Sequence, residues 1–234
     1  MEATGERFAA DDQRDDTTAR RAIVLIAVPA PATLTAEIGP EPAASIAVYT
    51  LLDLLAVLTP LDGVFLAVAC ADREHTGLVA GLLPAGINMY SAPSGEATSL
   101  DAMLWALSTH FERGFDRVLA LMGDVVDLPS RTAATALGTL VSVDVAIGPT
   151  RDGGLYLIGA KSAAGAALLD DTEPTSSALS ERVRVQGLTA RRVEPRRRLA
   201  ELANVQAIRD VAIAHAAALP RLNMALRRIS PPAK

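Results

Sequence analysis

Apolar residues fall along this chain in two alternating patterns. Continuous short runs stand at 22–28 (AIVLIAV), 63–70 (GVFLAVAC) and 118–122 (VLALM). Each is too short for a typical helix and lacks polar alternation, as a strand buried on both faces requires. Further strands are predicted at 86–91, at 143–147 (where Asp144 interrupts the apolar character) and at 155–160, with an edge strand at 188–193. Between them, apolar positions return with helical spacing. The stretch 41–58 carries Ile46, Tyr49, Leu52 and Leu55 and stops at Thr59-Pro60. The stretch 98–113 carries Met103, Leu104, Leu107 and Phe111 and is closed by Gly114. Helices are also predicted at 131–142, with Ser130 as N-cap, at 176–186 before Gly187, and at 205–219. Strands alternating with helices predict an α/β fold: a single three-layer α/β/α domain around a mostly parallel sheet.

The polar segments set the expected boundaries. Residues 1–20 are acidic and aperiodic and read as a disordered lead-in; 21–219 form the domain; 220–234 read as a C-terminal tail. A length of 234 residues, half of them apolar, suits one domain with a substantial core, built from Ala, Leu and Val because aromatics are only 3%. Cys70 is the sole cysteine, which excludes an internal disulfide framework and fits a small buried side chain in a reducing compartment. The net charge of −5 carries no nucleic-acid footprint. No apolar run of transmembrane length and no signal-peptide pattern are evident, so the expectation is a soluble cytoplasmic protein. The Ala/Leu-rich helices allow a homodimer without demanding one. Lysine occurs only at Lys161 and Lys234, so arginine carries the positive charge.

Punctuation between the central strands introduces candidate chemistry. Gly123-Asp124 closes the run 118–122, Gly148-Pro149 ends 143–147, and Asp152-Gly153-Gly154 forms a turn before 155–160. Two carboxylates thus sit at strand ends, and in open α/β sheets ligands bind in the crevice outside the carboxyl ends of the strands. A dinucleotide-binding Rossmann reading fails here, because no G-x-G-x-x-G follows the first strand.

The blocks GDVVDLP (123–129) and GPTRDGGLYLIGAK (148–161) also resemble a bacterial glycosyltransferase-like family of GT-A fold (DUF2064-type). Its relatives are the nucleotidyltransferases of molybdenum-cofactor and 2-phospholactate chemistry. The family patterns run approximately G-[ST]-D-x-P-x-L and G-P-x-x-D-G-G-Y-Y-L-x-G, so the second block is the closer match, and Val126 stands where the first usually has Pro. The resemblance implies a glycosyl or nucleotidyl transferase acting on a nucleotide-activated donor with Mg²⁺ or Mn²⁺. On that reading Asp124 is the metal ligand, and Asp127 is a further ligand or a group behind one. Asp152 orients the acceptor or serves as base. Gly153 and Gly154 admit substrate to the backbone, and Arg151 is the cation for a phosphate. Pro29 and Gly95 fall in the loops that line the nucleotide.

Three places depart from the family pattern. The stretch 27–40 (AVPAPATLTAEIGP), where the family has a basic Gly-containing phosphate loop, has no Lys or Arg and no Gly before Gly39, and Pro29 and Pro31 lack N–H donors. Ala102 replaces an arginine. Asn204 and Gln206 replace two acidic residues near the metal. These losses support a second reading: a non-catalytic relative that binds a ligand or supports an enzymatic partner protein.

Plain roles compete at each position. Asp124 can be a turn residue, Asp152-Gly153-Gly154 a β-turn, and Asp127 a helix N-terminal carboxylate. The arginines 191, 192, 196, 197 and 198 form either an anion site or a solvated basic face. His75 reads as an exposed loop residue and Trp105 as core or half-buried; no function attaches to His110 or His215.

Overall fold

The computed structural model describes residues 19–70, 73–91, 99–167 and 175–229. Gly95 lies outside the described residues, as does the expected lead-in up to residue 18.

The strands are β1 (Arg21–Ala27), β2 (Val64–Cys70), β3 (Asn88–Ser91), β4 (Arg117–Met122), β5 (Val145–Pro149), β6 (Leu155–Ala160) and β7 (Ala190–Arg192). They form one sheet in the order β3-β2-β1-β4-β6-β5-β7. All neighbours are parallel except β6, which runs antiparallel between β4 and β5. The helices are α1 (Ala32–Ile38), α2 (Pro40–Leu58), α3 (Arg73–Ala80), α4 (Ser99–Glu112), α5 (Ser130–Thr139), α6 (Ala163–Ala167), α7 (Ser176–Val185), α8 (Val205–Ala214) and α9 (Pro220–Arg228), with a 3₁₀ turn at Leu199–Glu201.

From β1 the chain crosses to β2 on one side through α2, and from β3 it returns past β1 to β4 through α4. Right-handed crossovers in opposite directions place the two helices on opposite faces of the sheet. Helix α4 packs with α6 on β1, β4 and β6, while α2 packs with α1, α5 and α9 on the other face. The result is the three-layer α/β domain expected from the pattern. Strands β1, β4 and β6 are buried almost throughout, with Ile23, Leu25, Leu119, Leu121 and Tyr156 among the largest fully enclosed side chains. A second apolar cluster, holding Leu34, Ile46, Val126, Leu199, Ile208, Leu222 and Leu226, joins α1, α2, α8 and α9 beyond the sheet.

Several boundaries differ from expectation. The strand expected at 143–147 begins at Val145 and includes Gly148-Pro149. The Asp144 carboxylate is taken up by the N–H and hydroxyl of Thr189. Proline is tolerated because it is the last strand residue, beyond a register shift at Gly148/Pro149. Helix α1 occupies residues read as loop, bracketed by Pro31 and by Gly39 at φ 87°. The charged segment holding His75 is helical in α3. The helix expected to run to 219 ends at Ala214, with His215 as C-cap.

Within the segment read as a tail, Pro220 starts α9, and the Asp53 carboxylate of α2 accepts from the N–H groups of Arg221 (3.2 Å) and Leu222 (2.9 Å). A helix N-terminus needs such acceptors, and here a distant buried carboxylate provides them. Helix α2 has the length and apolar content of a membrane span, contrary to the expectation that nothing did, yet 61% of that stretch is buried inside the fold.

Candidate functional site

The parallel strands point their carboxyl ends in one direction, and the antiparallel β6 starts there, with Pro149 paired to Leu155. Arg20 and Arg21 lie at the opposite end, where Arg21 pairs with Arg117 and the Arg20 N–H donates to Asp116. Three segments meet at the carboxyl end: the loop after β4, the turn between β5 and β6, and the chain leaving β7.

The loop after β4 begins at Gly123, packed so closely that an added Cβ would lie 2.8 Å from the Ile26 carbonyl oxygen and 2.6 Å from Leu51 Cδ1. Asp124 follows and is only 2% exposed. An antiparallel bridge made of two hydrogen bonds ties this loop to the chain beyond β7. Val125 forms a bridge with Arg198, and Val126 N–H donates to the Arg197 carbonyl at 3.0 Å. The Leu199 N–H donates in turn to the Asp124 carbonyl at 2.9 Å. The sequence-distant arginine cluster is thereby laid directly over the acidic loop.

Asp124 is in consequence an ion-pair residue: Arg198 Nε donates to its Oδ1 at 2.8 Å. Asp127 accepts from the Arg197 N–H at 2.9 Å and faces the Arg151 guanidinium at 3.9 Å. Arg196 donates to the Asp127 carbonyl and to Thr132 Oγ1 at the start of α5, and pairs with Glu194. The buried Tyr156 hydroxyl donates to the Glu194 carbonyl at 2.9 Å, and burial pushes its pKa well up, so it stays a neutral donor.

The turn between β5 and β6 is built on Thr150. Its hydroxyl donates to Asp152 Oδ1 at 2.5 Å, and Gly154 N–H reaches the same oxygen at 3.3 Å. The Thr150 hydrogen bond, helped by Gly154 N–H and the Arg198 charge, holds the Asp152 carboxyl below the usual carboxylate range. Gly153 adopts φ 94°, a left-handed conformation that strains any side-chain-bearing residue. Glu201 closes the arrangement: its carboxylate accepts from the N–H of Arg198 (2.7 Å) and of Arg151 (3.1 Å). Burial raises its pKa, and the nearby Asp152 charge pushes the same way.

The structure therefore gathers Asp124, Asp127, Arg151, Asp152, Gly153 and Gly154 at one end of the sheet. Pro29 is exposed in the loop after β1, where it offers no N–H. Asn204 caps α8 by accepting from Ala207 N–H, and Gln206 donates to Asp210, so both neutral replacements serve the helix. A cleft of about 330 Å³ opens beside these residues, lined by Asp127, Arg151, Arg197, Leu202, Asp210 and His215 among others. Its size is at the low end for a small-molecule site. His110, by contrast, is buried far from the site, with Nδ1 on the Ala106 carbonyl. Trp105 is half-buried on α4.

Sequence reasoning missed Glu201 and Thr150, and it named Arg198 only as a member of the arginine cluster that could form an anion site. Arg198 was one of five clustered arginines, and nothing in their spacing separates it from its neighbours.

The residues do not fit a ready-made divalent metal site. Mg²⁺ or Mn²⁺ needs several hard oxygen ligands, and the Asp124 carboxylate already serves a guanidinium. No group of three or more His, Cys, Asp or Glu residues close enough to share an ion occurs among the described residues.

Comparison with known proteins agrees with this architecture. A family model described as "Uncharacterized protein conserved in bacteria (DUF2064)" matches residues 54–175. No curated protein matches the sequence. Among solved structures, a candidate nucleotide-diphospho-sugar transferase from Desulfovibrio desulfuricans G20 is similar, with a TM-score of 0.72 at 20% identity, over 90% of this chain and 98% of that one. The 4-diphosphocytidyl-2C-methyl-D-erythritol synthase of Anaerococcus prevotii DSM 20548 gives 0.56 at 11% identity, over 90% and 97%. A CMP:2-keto-3-deoxy-manno-octonic acid synthetase complexed with CTP gives 0.54 at 14%, over 84% and 99%. At these identities the likeness establishes a shared fold.

Proposed function

The chain belongs to the bacterial family DUF2064, matched over residues 54–175, and from that premise we propose that it binds a nucleotide-activated donor and acts as a nucleotidyl- or glycosyltransferase-like protein. The observation that carries this reading is the meeting of Asp124, Asp152 and three arginines (Arg151, Arg197 and Arg198) at the carboxyl ends of β4 and β5. Arginines there supply the charge a diphosphate needs, and this crevice is where α/β folds take ligands. That a fold relative holds CTP supports a nucleotide as the ligand class.

In this reading Arg151, whose side chain is 54% exposed, meets the donor phosphates from the cleft side. Asp152 stays ionised through the Thr150 and Gly154 hydrogen bonds. An ionised carboxylate at that position orients an acceptor hydroxyl and accepts its proton as the acceptor oxygen bonds to the transferred group and the bond from that group to the donor's phosphate leaving group breaks. Gly153 keeps the backbone open beside it. The resemblance implies Mg²⁺ or Mn²⁺, but the Asp124 carboxylate is committed to Arg198, so no step here runs through a metal.

The test is calorimetric titration with a panel of nucleoside triphosphates and nucleotide sugars, with and without Mg²⁺ or Mn²⁺. Product analysis follows for any nucleotide that binds, using the wild type and Asp152→Asn. Saturable binding of one nucleotide, with turnover lost in Asp152→Asn and binding kept, is the expected result. If a folded sample binds no nucleotide at millimolar concentration, the proposal fails.

The second reading, a non-catalytic relative that binds a ligand or partner protein, has its own support. The loop after β1 offers two prolines and no cation, and α1 behind it is only seven residues long with no side-chain cap. Saturable nucleotide binding without any product, across a range of acceptors, would favour it.

A further inference from the structure

The feature that the family resemblance does not anticipate is the guanidinium seated on Asp124. The Arg198 side chain is 18% exposed and that of Asp124 3%, with 2.8 Å between Nε and Oδ1. Arg198 is also fixed through its backbone. It bridges Val125, its N–H donates to Glu201, and the next N–H donates to the Asp124 carbonyl. Only Nε is spent on the carboxylate. Among the described residues, neither terminal nitrogen of Arg198 donates to a protein acceptor. A side chain that is 18% exposed thus keeps both terminal nitrogens uncommitted. A guanidinium held in this way is a preorganised fork for an oxyanion. Asp152 lies within reach of its charge, and Arg151 is tied to the same Glu201 carboxylate.

We propose that Arg198 is the resident cation of this site: its terminal nitrogens bind a donor phosphate without a divalent metal, and Asp124 is a positioning residue that aims the guanidinium. The proposal rests on the reading of the site as one for a phosphate-bearing ligand. It reverses the role that the resemblance gives Asp124. A carboxylate that ligates a metal must be free to face it, whereas this one is almost fully buried against an arginine. A divalent ion placed at Asp124 would also meet the positive charge of Arg198 at close range.

Inorganic pyrophosphate is the probe. Its binding is measured by calorimetry in EDTA and again with Mn²⁺, and Mn²⁺ binding is measured separately by electron paramagnetic resonance without pyrophosphate. The proteins are the wild type, Arg198→Ala, Arg198→Lys, Asp124→Asn and Asp124→Ala, each checked for folding by circular dichroism. Wild type is expected to bind pyrophosphate equally with EDTA and with Mn²⁺. Arg198→Ala weakens binding about ten- to a hundredfold, as expected for loss of charge-assisted hydrogen bonds. Arg198→Lys recovers little of it, because a point charge does not reproduce the fork. Asp124→Asn, which keeps an acceptor oxygen for Nε, stays within about threefold of wild type, while Asp124→Ala loses most of the affinity.

The inference is overturned if pyrophosphate binds only with Mn²⁺, if wild type binds Mn²⁺ at a site lost in Asp124→Asn, or if folded Arg198→Ala binds like wild type. The first two outcomes leave the phosphate reading intact. Absence of pyrophosphate binding under every condition removes the phosphate reading and this inference together. Should Arg198→Ala not fold, the EDTA comparison and the Asp124→Asn measurements decide the matter.

Discussion

Asp53 is fully buried in α2, and it holds the start of α9 from 168 residues away. Its Oδ2 accepts from Leu222 N–H at 2.9 Å, and its Oδ1 accepts from Arg221 N–H and Arg221 Nη1, each at 3.2 Å. Asp53→Ala removes both backbone acceptors at once. The Leu222 N–H lies in the interior and loses its partner outright, at a cost of about 2 kcal/mol. The Arg221 N–H borders a side chain that is 41% exposed, so water recovers part of that loss and roughly 0.5–1 kcal/mol remains. Loss of a negative charge at a helix N-terminus adds about 0.5–1 kcal/mol. The sum is about 3–4 kcal/mol, a large share of the 5–15 kcal/mol typical of a domain. Asp53→Asn keeps one acceptor and should cost roughly half as much. Arg221→Ala removes only the partly exposed pair and should cost less than about 1 kcal/mol. Urea unfolding of the three variants, followed by circular dichroism, measures the order directly. The reasoning is refuted if Asp53→Ala costs under 1 kcal/mol, or if Arg221→Ala costs as much as Asp53→Ala.

Other perturbations test other parts of the fold. Burial, with a smaller effect from Arg113, lowers the pKa of His110 below its ordinary 6.5 despite the opposing Ala106 hydrogen bond. The unfolded chain then binds the proton more readily, so stability should be full above about pH 6.5 and fall as the pH drops below it; His110→Phe should flatten this dependence in urea unfolding at a series of pH values. Asp144 is held at about 2, chiefly by the Thr189 hydroxyl and N–H, with Lys161 contributing. Its contribution is present above the ordinary carboxylate value and is lost as the pH falls through about 2; Thr189→Val should cost about 1 kcal/mol at neutral pH and raise the Asp144 pKa in an NMR titration. Gly123→Ala forces a Cβ against the Ile26 carbonyl and should cost about 1–3 kcal/mol in thermal or urea unfolding. A fully stable Gly123→Ala protein would show that the β1–β4 junction has room to give.

The sequence made the central architecture legible because burial there is extensive, from the second residue onward in β1 and β4 and over the last four residues of β2. Strands β1, β2 and β4 are continuous apolar runs, and no other packing consumes them. Helices α2 and α4 carry full apolar stripes and clear stops. The failures share a cause, which is tertiary satisfaction of groups that look unsatisfied locally. Helix α9 contains only Leu222, Met224, Ala225 and Leu226 as apolar residues, and its N-terminal acceptor comes from a residue in the first quarter of the chain. Helix α1 presents a single buried residue, Leu34, too little to register as a stripe. The antiparallel setting of β6 had a local cue in the Asp152-Gly153-Gly154 turn, but its place between β4 and β5 depended on pairings that spacing does not reveal.

The candidate site divides along the same line. Asp124, Asp127 and Asp152 were visible because Gly and Asp at the end of an apolar strand mark the ligand-bearing edge of an α/β sheet. What those carboxylates face was not visible, since it is set by Arg197, Arg198 and Glu201, about 50 to 75 residues away in sequence. The difference is chemical as well as positional. A carboxylate open to solvent at this edge attracts a divalent cation, while the same carboxylate under a guanidinium is already neutralised and acts by aiming that guanidinium. Charge compensation by arginine also accounts for how the chain can lack a basic loop after β1 and still present positive charge to a phosphate. Of the compensating cations, Arg197 and Arg198 come from the chain leaving β7 and Arg151 from the turn between β5 and β6, and each is tied to a carboxylate through the side chain or the backbone N–H. An anion entering this crevice therefore meets the Arg197 guanidinium and the terminal nitrogens of Arg198 without displacing a carboxylate, and contests only the Arg151–Asp127 pair at 3.9 Å. Affinity should consequently fall with rising ionic strength more steeply than a single buried contact would allow, and the salt dependence of pyrophosphate binding reports how many of the three arginines take part.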